Sequence, residues 1–177
     1  MAMTTGSVQC GTTLRVSGTY PPQGVTGELA NHTIPQSAGA EAATLTYGTS
    51  SGKVDLITCS DRTLTAGASG TYDLYTGTDL KDLDGLTCAF RKVKLIQVSI
   101  VSGGDTAGVT VGGAASDQWV GFFGASGDTL TIYPSGPPFL GGQPAGSAVG
   151  TTTKNLKILN NGAVSVTVRI TIAGSSV

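Results

Sequence analysis

Charge is scarce in this sequence: 12% of its residues are Asp, Glu, Lys or Arg, and they nearly cancel to a net charge of −1. A chain so balanced has no electrostatic pull on a phosphate backbone, so direct nucleic-acid binding is not expected. Ala, Leu, Glu and Lys are not present in the volume that helices need. No apolar run approaches the roughly 20 residues of a membrane span, and residues 1–10 show no basic stretch followed by an apolar one. The expectation is a protein made in the cytoplasm and not anchored to a membrane. Histidine occurs once, at His32, which leaves no material for a Ser-His-Asp triad or a multi-histidine metal site. Three cysteines, Cys10, Cys59 and Cys88, are odd in number, widely spaced and free of any CxxC pair. That argues against a disulfide framework and a structural zinc site, and they read as small buried hydrophobes. No cofactor is expected.

What the chain does hold is 39% apolar residues and 27 glycines in 177 positions, with Ser and Thr filling most polar places. This composition suits one all-β domain with or without an ordered arm. Residues 1–43 read as an extended N-terminal arm, because Tyr20-Pro21-Pro22, Gly24, Gly27 and Pro35 interrupt every periodicity; a short strand over 14–16 is the exception. Such an arm is either disordered or ordered by a neighbouring subunit, since alone it buries too little to offset its chain entropy.

Residues 44–177 read as an antiparallel β-sandwich, jelly-roll-like, with strands over 44–47, 54–59, 71–75, 93–101, 109–111, 129–133, 156–159 and 164–172. In the last of these Val164, Val166, Val168, Ile170 and Ile172 alternate with Ser165, Thr167, Arg169 and Thr171, one face for a core and one for water. Asn160-Asn161-Gly162 predicts a hairpin joining it to the preceding strand. In 93–101 the apolar set changes parity, which predicts a bulge or two-sided burial. Single helical turns are expected near 79–83 and 117–120.

Candidate chemistry is thin. Gly67-Ala68-Ser69-Gly70 and Gly124-Ala125-Ser126-Gly127 do not match G-x-S-x-G and read as loop tips. Asp79, Asp82, Asp84 and Gly85 fail the EF-hand spacing, which would need ligands where Leu80 and Arg91 stand, and read as a solvated turn. Asp55, Asp61 and Asp73 lie on separate segments, so a glycosidase-like carboxylate pair is not identifiable. Asn31-His32-Thr33 fits a glycosylation sequon in a chain with no expected reason to be modified. Phe90-Arg91-Lys92-Val93-Lys94 is a local basic cluster, but on a strand its charges fall on both faces and are equally a guard against edge pairing. Trp119, Phe122 and Phe123 read as core or subunit-interface packing, or else as a sugar-stacking platform. With Tyr20, Arg91 and Lys92 they form the candidate interface set, and no residue is assigned a catalytic or metal-binding role.

Several stretches carry a resemblance: Tyr47-Gly48-Thr49-Ser50-Ser51-Gly52-Lys53-Val54-Asp55-Leu56, then Asp61-Arg62-Thr63-Leu64, Tyr72-Asp73-Leu74, Phe90-Arg91-Lys92-Val93-Lys94, Val111-Gly112-Gly113-Ala114, a segment over 134–140, and 156–161 ahead of a strand ending Ile172-Ala173-Gly174. In order and spacing, over roughly residues 47–174, they resemble small structural proteins encoded among the head genes of tailed bacteriophages. The sequence departs from that family in having Ser60 where a basic residue is common and Ile172-Ala173-Gly174 for a terminal Ile-Ile-Gly. The resemblance implies a non-enzymatic virion protein with a jelly-roll-like sandwich, a decoration or cement protein on the capsid exterior. Its implied partners are the major capsid protein and copies of itself, as a dimer or trimer. A receptor- or glycan-binding module of a tail or head fibre is the alternative, and a hydrolase a third reading, since sandwich folds also host glycosidases.

Overall fold

A computed structural model of the chain describes residues 7–10, 43–82, 85–136 and 138–177. Short runs of β-branched residues broken by Gly, Asn and Asp give eleven strands: β1 (Ser7–Cys10), β2 (Ala43–Tyr47), β3 (Lys53–Val54), β4 (Leu56–Leu64), β5 (Ser69–Asp73), β6 (Lys92–Gly103), β7 (Val109–Gly112), β8 (Thr129–Ile132), β9 (Phe139–Ala148), β10 (Asn155–Asn160) and β11 (Val166–Ser175). The chain divides into a unit of residues 7–45 and a unit containing residues 46–177. Of the first, β1 and the start of β2 are described; β1 lies in a stretch that reads as irregular. The strand expected over 14–16, Tyr20 and His32 lie outside the described residues.

In the larger unit eight strands form two antiparallel four-stranded sheets, ordered β4-β11-β6-β9 and β5-β10-β7-β8. Their inner faces share one core, with Tyr72, Phe90, Ile96, Val111, Trp119, Ile158 and Ile170 among its buried members. Period-two alternation does the work expected of it in β11, where Val166, Val168, Ile170 and Ile172 are buried; Val164 precedes the strand and is exposed. In successive strands the chain changes sheet at every step except β7 to β8. No helix is found among the described residues, and none is therefore long and apolar enough to cross a membrane.

Several elements differ from expectation for local reasons. The run 54–59 is cut at Asp55 into β3 and β4, and β4 continues to Leu64. The strand expected at 71–75 is β5, which stops at Asp73 because the Asp73 carboxylate accepts the Tyr75 and Thr76 N–H groups and turns the chain. No helical turn is found over the described residues 79–82 or over 117–120, where Lys81 pairs with Thr87, Asp117 sits at φ 49° and Gln118 pairs with Asn155; a turn follows instead from Val120, whose carbonyl accepts the Phe123 and Gly124 N–H groups.

Asn160-Asn161-Gly162 is not a hairpin, since it carries the chain from one sheet to the other. The Asn160 side chain explains the crossing, as its Nδ2 donates to Val164 O and also to Leu64 O and Thr65 O at the end of β4. The parity change in β6 is a bulge. Pairing with both β9 and β11 skips Lys94, and pairing with β11 also skips Val101. The extra residue returns Val93 to the core face it shares with Ile96 and Val98.

Candidate functional site

The sequence candidates fall into two groups that the fold keeps apart in role. Trp119 is fully buried, 0% exposed, and its Nε1–H donates to Ala148 O at 3.1 Å. Phe122 and Phe123 meet it edge-on with centroids 5.4 and 6.3 Å away, and Phe123 stacks on Phe139 of β9 at 5.9 Å. Glycines make room for this cluster: a Cβ on Gly121 would lie 2.1 Å from the Trp119 ring, and one on Gly141 2.9 Å from Phe122. The aromatics therefore plug the core. A sugar platform or an interface anchor needs an open ring face, and Trp119 has none. Phe122 and Phe123 are half-buried.

Arg91 is half-buried, stacked 3.9 Å from the Tyr75 ring centroid and donating to Tyr75 O and Phe90 O, so its guanidinium is engaged within the chain. Lys92 is exposed. Lys94 is the unexpected member: it is 2% exposed, and its Nζ donates to the carbonyls of Thr49, at 2.9 Å, Ser50, at 2.6 Å, and Lys53. All three ammonium hydrogens are thereby used, on main-chain oxygens and not on a carboxylate. Burial pushes its pKa below the usual lysine range, Lys92 adds to this, and Asp55 opposes it. Gly146, at φ 80°, lies against it, where a Cβ would come 3.0 Å from Lys94 Cγ.

The acidic candidates are not brought together. Asp61 forms a two-pronged pair with Arg169 across β4 and β11, at 2.7 and 2.8 Å, and that bond holds its carboxyl below the usual range. Its neighbour Arg62 points the other way and lies over the Tyr72 ring, 5.5 Å from the centroid. Burial would raise the Asp73 carboxyl, but Lys154 at 2.9 Å and the Thr76 N–H outweigh it and lower its pKa. Asp55 accepts from the Ser176 N–H and hydroxyl. Asp82 accepts the Leu86 N–H, as expected of a turn. Among the described residues no three His, Cys, Asp or Glu side chains are grouped to hold a metal ion. Gly67 and Gly127 sit in turns. Of the cysteines, Cys88 is buried, with its thiol pushed up to about 11, while Cys59 is exposed on β4.

Four polar side chains matter more than sequence reasoning suggests. Besides Lys94 and Asn160, Gln118 is buried, accepts the Gly127 N–H at 2.8 Å and donates to Asp128 O. Asp105 accepts the Ala107 and Ala163 N–H groups at 2.9 and 2.7 Å, joining two loops at one end of the sandwich. The available signal for Lys94 was its place in the apolar run Val93-Lys94-Leu95-Ile96; Asp105 and Gln118 carry none beyond lying in turn-rich sequence. Comparison of the chain with protein-family models, with curated proteins and with solved structures finds no match.

Proposed function

We propose that this chain is a non-enzymatic structural protein of a tailed-phage virion, a decoration or cement protein on the capsid exterior that binds the major capsid protein and copies of itself. The observation that carries this reading is where the polar side chains are spent. Lys94, Asn160, Gln118 and Asp105 all tie main chain to main chain, fastening loops to the two sheets. Such a module resists deformation, which is the property a shell-stabilising protein needs. The sequence resemblance over roughly residues 47–174 supports the same role.

The fold within this reading is a jelly roll. Strand orders β4-β11-β6-β9 and β5-β10-β7-β8 support it, because eight strands that change sheet at every step but the one from β7 to β8, with first beside last, are what two interlocked Greek keys produce. A cement protein stabilises a shell by binding its assembled state, burying on the order of 1,200–2,000 Å² at each stable contact. Assembly as a dimer or trimer multiplies those contacts through avidity. Half-buried Phe122 and Phe123 and exposed Lys92 remain available to such contacts.

Mass spectrometry of purified particles, followed by cryo-EM of the capsid, tests the proposal. The expected result is the chain in stoichiometric amount, with sandwich-shaped density on the outer shell lattice. Absence from the particle, or density confined to the tail, overturns it.

A further inference from the structure

Residues 48–53, which lead from the end of β2 into the first residue of β3, make local hydrogen bonds of their own: Gly48 N–H donates to Val54 O and Lys53 N–H to Ser50 O. Among the described residues, four hydrogen bonds tie this turn to later parts of the sandwich. Three run from Lys94 Nζ to the Thr49, Ser50 and Lys53 carbonyls, and the fourth from Gly52 N–H to Pro144 O. The Lys94 head group reaches this position because the bulge places an extra residue in β6 opposite the excursion of β9 over residues 143–146.

We propose that the carbonyls of Thr49, Ser50 and Lys53 form a cradle for a compact monovalent ammonium-type cation, and that the cation it holds is the chain's own Lys94, clasping residues 48–53 to the sandwich as a separable strap. Three converging carbonyl dipoles favour a positive charge that can donate three hydrogen bonds, and a primary ammonium does so. Among the described residues no acidic side chain forms an ion pair with Lys94; Asp55 and Lys92 are the charges that bear on it, of opposite sign. Removing the ammonium leaves the carbonyls facing one another in a partly buried place, which is costly, and the strap relieves that cost by turning them to water. The strap is six residues long, so once freed it spans at most about 20 Å at ~3.3 Å per residue.

Hydrogen exchange on the full chain tests this with Lys94→Met, which keeps the apolar stem, and Lys94→Ala, which leaves a channel. In both, protection at Gly48, Gly52 and Lys53 is expected to fall by about a hundredfold or more while β10 and β11 keep theirs. Propylammonium chloride is expected to restore strap protection in Lys94→Ala, whereas tetramethylammonium chloride, which has no N–H to donate, is not. Unchanged strap protection in both variants overturns the clasp. Simultaneous loss in β10 and β11, or failure of both variants to fold, shows that the strap is not separable and likewise overturns it. Equal effects of the two salts overturn the cradle.

Discussion

Replacing Asn160 by Asp changes one NH₂ group to an oxygen and is the sharpest test of how the two sheets are joined. Asn160 is 1% exposed. Its Nδ2 donates to Leu64 O, Thr65 O and Val164 O at 3.2, 2.9 and 2.8 Å, and its Oδ1 accepts the Gly162 N–H at 3.0 Å. Asn160→Asp keeps the last bond and turns the other three into oxygen facing oxygen. Two N–H groups lost at ~1 kcal/mol each, with a further 1–3 kcal/mol for buried acceptors left unpaired, give a destabilisation of about 3–5 kcal/mol at pH 7. Against a typical total of roughly 5–15 kcal/mol this is a large fraction, and at ~2–4 °C per kcal/mol it lowers Tm by about 6–20 °C. The introduced carboxyl has a folded-state pKa raised by burial above its unfolded value near ~4, so the folded state holds the extra proton in that window. Stability of the variant relative to wild type therefore falls as pH rises through the window and is partly recovered near pH ~4.5. Urea titrations of both proteins at the two pH values measure this. A difference under about 1 kcal/mol at pH 7, or one that does not shrink on acidification, refutes the role given to Asn160. Asn161→Asp is the control: that side chain is exposed, donates to Thr110 Oγ1 at 2.8 Å, and its replacement is expected to cost less than ~1 kcal/mol.

Trp119→Ala empties a fully buried site and is expected to cost about 3–5 kcal/mol in denaturant unfolding, while wild-type Trp emission is blue-shifted until unfolding; red-shifted native emission contradicts the burial. The Asp105 carboxyl is held below its ordinary pKa by the Ala163 and Ala107 N–H groups. Its contribution is present above the unfolded pKa and lost as pH falls through the lower folded value, so Asp105→Asn flattens the acid side of the stability–pH curve; an unchanged acid limb refutes this. Thiol labelling with peptide mapping is expected to modify Cys59 in the native protein and Cys88 only in denaturant, because one is exposed and the other is buried with its thiol raised to about 11. Native labelling of Cys88 at the rate of Cys59 refutes it.

Strands with a strict period of two are plain in the sequence, and β11 and β10 are the best cases because each faces a core on one side. The parity change of β6 was visible too, and it marks a bulge whose residue is Lys94. What stayed hidden depends on partners distant in the chain. β9, with Gly141, Gly142, Pro144 and Gly146, has the composition of a loop and is a strand only because it lies at a sheet edge, where Pro is tolerated. The Asn-Gly signal at 161–162 fixes a turn but not the sheet the chain turns into, which depends on carbonyls of Leu64 and Thr65 nearly a hundred residues earlier. The apolar run around Lys94 hints at its burial, but its partners are invisible until the 48–53 turn is folded over it, and Trp119 resembles a recognition aromatic until Phe122, Phe123 and Ala148 surround it.

The place of β11 in its sheet carries a consequence for how the chain reaches its native state. β4 and β6 do not touch along their lengths; each pairs with β11, which lies between them and comes last of the three in the chain. During synthesis both must emerge with open edges and wait for the strand that joins them, so this sheet closes late and through long-range pairing. Topologies of this kind fold slowly, and their waiting strands are exposed to wrong partners. Arg62, a charge pointing inward from β4, and Lys92 at the start of β6 sit where they discourage such pairing in that interval.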